Sequence, residues 1–440
     1  MRWLCENKWR GMGTLFILLL MAGSCFVYAL HYHATHVLRV GIFAGSNWNV
    51  PAGDSYAVID AAIQSFEAEH PGVSVRYVSG IKKEDYAEWL AKQILQGEEP
   101  DVFFILPDDF NLYASMGVLQ NLSFLETEDP SFDSRAYYPP AIAYGQYQGE
   151  SYALPFESVP TLMFVNKTLL RQEGITMPDN NWTWQDFINI CRKVTKDKDG
   201  DGILDQFGCY DYTWQQAAVT NGLQIFRSDG NVSYFANAKM EEVVRFLMDL
   251  RAVNHGYNVT ARDFDMGKVA FRPFTFAEYR TYNPYPWRIK KYATFEWDCI
   301  KMPAGPSGKN LSQLDTLLIG MSARTGNKEL AWAFLKKLCV DPEMQKLILS
   351  KSQGLPVLKA VVESSDTRQI LLKDAPGDAK MDISILSDAM NEAVIAPKFR
   401  KYTSTMLMAD NELRKIIENT VPLNNSLIKL QKEINAYLQY

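Results

Sequence analysis

Three short apolar runs separated by two helical patterns, all between residues 38 and 106, constrain this chain more than any other feature. The first run, 38-LRVGIF-43, reads as a strand. Val58, Ala61, Ala62, Ser65 and Phe66 then share one helical face, with Asp54 placed to cap that helix and Pro71-Gly72 to stop it. Next, 73-VSVRYVSG-80 alternates Val73, Val75 and Tyr77 as a half-buried strand does. The spacing predicts a second helix from Glu84 to about Gln96, ended by Gly97, because glycine takes the left-handed conformation of a helix terminus at no steric cost. The third run, 101-DVFFIL-106, is apolar on both faces after its aspartate. Strand, helix, strand, helix, strand implies a parallel α/β unit with right-handed crossovers.

In such sheets ligands lie beyond the carboxyl ends of the strands. That rule selects Asn47 and Trp48 after the first strand, and Asp108 and Asp109 after the third. Both tips pair hydrogen-bonding groups with a neighbouring aromatic ring. Neither carries a glycine-rich phosphate loop, which argues against a nucleotide. The net charge of the 440 residues is −6. Arg2, Lys8 and Arg10 against Glu6 give the first 36 residues +2, so the rest carries −8, the wrong sign for nucleic acid.

The N-terminus is bipartite. A cationic segment, MRWLCENKWR, precedes an uncharged run from Gly11 to Leu30, about the length of a membrane crossing. Positive residues ahead of it keep that end in the cytoplasm, so the body is exported. Val27-Tyr28-Ala29 fits a cleavage site, Ala22-Gly23-Ser24-Cys25 weakly fits a lipid-attachment box, and an uncleaved run would be an anchor. The expectation is an extracytoplasmic protein associated with the membrane through residues 1–36, by an anchor or a cleaved signal in preference to a lipid. Cys191, Cys209, Cys299 and Cys339 match no zinc spacing and read as small buried hydrophobes, although Cys191 and Cys209 flank an acidic loop and could pair.

That loop is 196-KDKDGDGILDQFG-208. Asp197, Asp199, Asp201, Gly202 and Asp205 occupy positions 1, 3, 5, 6 and 9 of a calcium loop, while Gly208 stands where a bidentate acid belongs. A metal-free turn is the alternative. Either way the loop is structural, and no cofactor is required. Further along, 152-YALPFESVPTLMFVNKTLL-170 reads as two extended segments around Pro155 and Pro160. Helical patterns dominate from Trp184 to about Leu250, over 329–338, and from Ile383 onward, with breaks near Pro397 and Pro422.

Several segments now resemble, in order and spacing, the extracellular solute-binding proteins of ABC importers, in the sugar-binding family that includes maltose-binding protein. They are 151-SYALPFESVPTLMFVNKTLLRQEGI-175, 182-WTWQDFINICRKVTKDKDGDGILDQFG-208, 301-KMPAGPSGK-309, 319-IGMSARTGNKELAWAFLKKL-338 and 354-GLPVLK-359. The resemblance covers residues 37–440. It implies a two-lobed α/β fold of the type II periplasmic-binding-protein kind, with a hinge crossed more than once. The first lobe would comprise 37–156 and 318–360, the second 157–317 and 361–440, with the ligand between them.

Aromatic residues make up 12% of the chain, including 10 Trp, and this abundance has a use in such a cleft. Sugar rings present C–H faces that pack on Trp and Tyr, and hydroxyls that need directional partners. Beside the two strand tips, the candidates are Glu157 at the crossover, and Trp214, Asn221, Tyr279 and Trp287 on the opposing wall that the resemblance implies. Trp182 and Trp184 are assigned to packing at a capped helix start. The expected function is capture of a carbohydrate by lobe closure and delivery to the membrane subunits of an ABC transporter, by a monomer that is not an enzyme. Two alternatives stand: a cell-surface carbohydrate-active enzyme, and a ligand sensor reporting to a membrane kinase. Asp108 and Asp109 are sequence neighbours and cannot simply flank a scissile bond, which weighs against the first.

Overall fold

The computed structural model describes residues 36–51, 56–282, 295–374 and 383–439. The N-terminal run, Asp54 and Trp287 lie outside them. Among the described residues ten strands carry the fold: β1 His36–Gly41, β2 Val73–Tyr77, β3 Val102–Ile105, β4 Gln146–Tyr147, β5 Glu150–Ser151, β6 Ala153–Asn166, β7 Phe207–Cys209, β8 Val269–Thr275, β9 Trp297–Ile300 and β10 Leu314–Met321. The expected parallel unit is present. β1 pairs in parallel with β2 and β3, and helices Ala57–Glu69 and Lys83–Gln96 make the crossovers. Gly97 ends the second helix at φ 73°, as its sequence position predicts.

The large sheet runs β2-β1-β3-β10-β6-β8-β7, with β9 also on β6. β6 is where the sequence reading needs correction. Instead of two segments it is one strand of 14 residues, every one of them buried. Proline cannot donate to a ladder and is tolerated in strands chiefly at edges and bulges. Here the register of β6 against β10 shifts between Leu317 and Leu318, which face Glu157 and Pro155, so Phe156 is the extra residue of a bulge. The N-terminal part of β6 pairs with β10, while Thr161–Val165 pair with β8 and Met163–Asn166 with β9. One continuous strand therefore belongs to both lobes. The chain passes this seam again in β10, and a third time where Leu355 exchanges two backbone hydrogen bonds with Ser158, at 3.0 and 2.8 Å.

Apolar packing follows the same plan. One cluster surrounds β1 to β3 and includes Leu38, Phe66, Phe103 and Phe334. A second joins Phe187 and Phe271 to Leu413 and Leu430 of the C-terminal helices Tyr402–Ile417 and Leu423–Gln439. A third gathers Val159, Phe276, Leu314 and Leu355 around the seam. Thr183 caps helix Trp184–Val194 reciprocally with Asp186, and Trp182 and Trp184 are buried beside it. Cys191, Cys209, Cys299 and Cys339 are all buried free thiols. Among the described residues no helix is long and apolar enough to cross a membrane.

The approach to β6 depends on a glycine. The Gly145 carbonyl accepts the amides of Tyr152 and Ala153 at 3.0 and 3.3 Å, and a Cβ at Gly145 would overlap the carbonyl oxygen of Ala153. Gly145→Ala should destabilise the protein by about 3 kcal/mol, the upper end of overpacking costs. The expected sign is a lower urea midpoint with an unchanged slope. A midpoint equal to wild type would show that the strand entry yields without cost.

Candidate ligand cleft

The tip of β1 is built by a long-range contact. The Ala44 amide donates to the Ile81 carbonyl at 2.7 Å, which brings the start of helix Lys83–Gln96 alongside residues 44–49. The Lys83 ammonium then donates to the Asn47 carbonyl and, at 2.9 Å, to Asn49 Oδ1. Burial lowers the Lys83 pKa, and the charge of Asp108 opposes that shift. No cation stands next to Asn47 and Trp48 in the sequence. Lys83 supplies one from 36 residues beyond Asn47, a pairing that no local pattern reveals. Asn47 is buried, and its Oδ1 has no hydrogen-bond partner among the described residues.

Beyond β3, Pro107 opens helix Pro107–Ser115, and Asp108 and Asp109 occupy its first turn, where the helix dipole favours carboxylates. Asp108 is exposed, and its Oδ1 accepts the Thr403 hydroxyl at 3.3 Å. Asp109 has a pKa raised to about 6, by burial first and then by the charge of Asp108.

Thr403 connects this tip to the other wall. It lies in the first turn of helix Tyr402–Ile417, and Asp410, seven residues on, lies on the same face. Asp410 accepts the Trp214 indole N–H at 3.1 Å. About 10 Å of helix thus separates the Asp108 contact from Trp214. There a cavity of about 450 Å³ is lined by Tyr210, Tyr212, Trp214, Tyr257, Asp410 and Arg414, among others. The chain reaches it from the carboxyl end of β7, which pairs in parallel with β8. Arg272 on β8 was not foreseen from sequence. Its guanidinium packs 5.0 Å from the Tyr210 ring centroid and 4.4 Å from that of Phe274, with Asp211 at 3.6 Å and Glu278 at 3.8 Å. The surroundings hold both signs of charge, as a site for an uncharged polar ligand would.

The remaining candidates fall elsewhere. Asn221 is fully buried and its side chain is committed: Nδ2 donates to Glu242 at 2.8 Å, and Oδ1 accepts the Ser307 amide at 3.0 Å. It fastens the 305–308 turn and does not line the cavity. Tyr279 is also buried, packed with Phe276 in the seam cluster, so its ring is core. The resemblance gave the approximate place of both residues, but the direction of a side chain depends on local register. Glu157 is not a surface loop charge. Its side chain is 3% exposed, Oε1 accepts the Trp48 indole N–H at 2.9 Å, and Oε2 accepts the Ser352 hydroxyl.

In the acidic loop, one oxygen each from Asp197, Asp199 and Asp205 lies within 4.8 Å of the others. Asp201 stands outside that group and accepts the Ile203 amide at 2.7 Å. Asp197 accepts the amides of Gly200 and Gly202, both at 2.7 Å, and Asp205 accepts that of Lys198 at 2.8 Å. Hydrogen bonds from the loop's own amides to these aspartate side chains therefore hold the turn.

The model of the bacterial extracellular solute-binding proteins matches residues 50–345. The chain belongs to that family. This solute-binding protein is 25% identical over 316 residues to an uncharacterized lipoprotein from the oleD 5′ region of Streptomyces antibioticus. The match covers 67% of the chain and 66% of that relative, just under two thirds of its length. Solved structures share its fold. An ABC substrate-binding protein from Listeria monocytogenes, in complex with cycloalternan, superimposes with a TM-score of 0.70 at 20% identity, over 92% of this chain and 99% of the other. A cyclic α-maltosyl-1,6-maltose binding protein from Arthrobacter globiformis gives 0.75 at 16% identity, over 92% and 99%. The sugar-binding protein MalE from Xanthomonas citri gives 0.73 at 16%, over 92% and 97%. The family and these neighbours are binding proteins.

Glu157 gives the solute-binding protein a pH-dependent stability. Burial raises its pKa from the ordinary 4.5 to about 7, against the lowering effects of the Ser352 and Trp48 hydrogen bonds and of Arg280. A carboxyl whose folded pKa lies above its unfolded value stabilises the fold while protonated. That contribution is full below about pH 4.5 and is lost as pH rises through about 7. Relative to Glu157→Gln, the wild type should lose on the order of 3 kcal/mol between those limits, at 1.36 kcal/mol per pKa unit. Urea unfolding of both proteins at several pH values checks this. Parallel profiles would show that Glu157 does not titrate in the folded state.

Proposed function

We propose that this protein captures a neutral oligosaccharide outside the cytoplasmic membrane and delivers it to the membrane subunits of an ABC importer. The observation that carries this reading is the cavity of about 450 Å³ lined by Tyr210, Tyr212, Trp214 and Tyr257, with Asp410 and Arg414 beside them. Aromatic faces suit the C–H surfaces of sugar rings, and carboxylate and guanidinium groups suit their hydroxyls. Neighbours of the same fold that bind cycloalternan, cyclic α-maltosyl-1,6-maltose and acarbose support it. In this reading the lobes divide at residues 157, 318 and 361 and close around the sugar, and the importer recognises the closed form. The N-terminal apolar run tethers the protein or serves as its export signal. The relative named a lipoprotein is in keeping with attachment to a membrane. The protein acts as a monomer without catalysis, and a calcium ion in the acidic loop, if bound, is structural.

A thermal-shift screen against linear and cyclic gluco-oligosaccharides tests this, because a tight ligand raises the melting temperature by mass action. At least one sugar should do so. Calorimetry with that sugar should show affinity nearly independent of salt, since no net charge is neutralised. Trp48→Ala and Tyr257→Ala should each weaken binding by about 1–3 kcal/mol. The same melts with calcium or a chelator report on Asp197, Asp199 and Asp205. A panel without any shift would overturn the carbohydrate reading.

A further inference from the structure

Four residues form a continuous chain of contacts across the seam, three through their side chains and Ser352 through both its carbonyl and its hydroxyl. Arg280 lies in helix Phe276–Thr281, which follows β8 in the second lobe. Its guanidinium donates to the Leu349 carbonyl at 2.8 Å and the Ser352 carbonyl at 3.0 Å, clamping the C-terminal end of helix Pro342–Lys351. The Ser352 hydroxyl donates to Glu157 Oε2 on the bulged part of β6, and Glu157 Oε1 accepts the Trp48 indole N–H at the tip of β1. Trp48 itself packs against both the first-lobe cluster and the seam cluster.

The arrangement is sterically tight. A Cβ at Gly354 would stand 2.7 Å from Glu157 Oε2 and 3.0 Å from Trp48 Nε1, so only glycine fits beside the pair. Both carboxylate oxygens are already engaged, and the group is buried. Glu157 is therefore engaged within the protein, while Trp48, whose indole it holds, is a partly exposed residue at the tip of β1. The charged groups around the carboxyl are Arg280, from helix Phe276–Thr281, and Lys351, exposed at the end of helix Pro342–Lys351, which lines a small cavity together with Glu157 and Ser352. Lys83 lies on the other side of Asn47.

We infer that Arg280, Ser352 and Glu157 are positioning residues that set the orientation of the Trp48 indole, so that the ligand platform of the first lobe is aligned by a residue of the second. The ligand part of this inference rests on the carbohydrate reading above. A relay of this kind makes Trp48 report lobe geometry, because any movement of helix Phe276–Thr281 relative to β1 changes the tension on the turn at Ser352.

The test uses the full chain labelled with 5-fluorotryptophan, with the Trp48 resonance assigned by Trp48→Phe. In wild type that resonance should titrate near neutral pH, and in Glu157→Gln the titration should vanish. Ser352→Ala and Arg280→Lys should each shift it at fixed pH, although Arg280 does not touch Trp48. A Trp48 resonance indifferent to Arg280 and Ser352 in folded variants would overturn the relay. A second arm measures binding of maltotetraose and a cyclic tetrasaccharide by calorimetry in a double-mutant cycle. Glu157→Gln should weaken binding several-fold in the wild-type background and less than about 2-fold in the Trp48→Ala background, because it acts through Trp48. An equal loss in both backgrounds would make Glu157 a direct ligand contact and overturn the positioning role. If neither these two sugars nor any member of the thermal-shift panel binds wild type, the carbohydrate reading fails on its own, and the resonance arm still decides the relay.

Discussion

The architecture depends on one backbone constraint: β6 must satisfy its hydrogen bonds in two lobes along a single extended run. A fully buried strand cannot leave amides or carbonyls unpaired without a cost comparable to a lost hydrogen bond for each. Its pairing with β10 on one part, and with β8 and β9 on the other, therefore fixes where each lobe starts. Two prolines reduce the number of amides that need partners, and the bulge at Phe156 absorbs the mismatch that remains. The seam is thus stiff along the strand. Relative motion of the lobes has to come from twisting at the bulge and at the Leu355 crossing rather than from separating strands.

That constraint also accounts for the chemistry at the seam. A bulge changes the direction in which successive side chains leave a strand, and here it directs a carboxyl into the interior between Trp48 and Ser352. Burial of that group would be costly without its two hydrogen bonds and the nearby guanidinium. It holds together parts of the chain that are otherwise connected only through long detours: residue 48, residue 157 and residue 352. The cavity beside Trp214 is organised differently. It is lined by aromatic rings and by charged groups of both signs, among them Asp211, Arg251 and the ion pair of Arg414 with Asp410, while Arg272 reaches Asp211 from behind the wall.

The first lobe was legible because its signals are local and periodic. Leu38 to Ile105 alternates strand and helix patterns with clear stops, and the helices ending at Gly97 and running from Lys328 to Cys339 fall within a residue or two of expectation. β7, β8 and β9 were not read, since strands of three, seven and four residues carry little periodicity beside the longer helical patterns around them. The two strand tips follow from topology alone. The roles of Lys83 and Arg272 do not, because each acts on a partner brought close only by the tertiary fold. Asn221 and Tyr279 show the reverse failure. Their residue types suited a sugar site, but Asn221 anchors a turn and Tyr279 fills the core.

The four buried thiols of the described residues bear on how such a protein survives outside a cell. Among the described residues no disulfide closes a loop, so that part of the fold is held without a covalent cross-link. The cost is kinetic. Burial raises the thiol pKa of Cys191 and Cys209, which keeps them unreactive while the second lobe is intact. Once that lobe unfolds in oxidising surroundings, the same sulfurs become accessible to oxidants and to one another. Slow unfolding, more than a large equilibrium stability, then determines the working lifetime of the molecule.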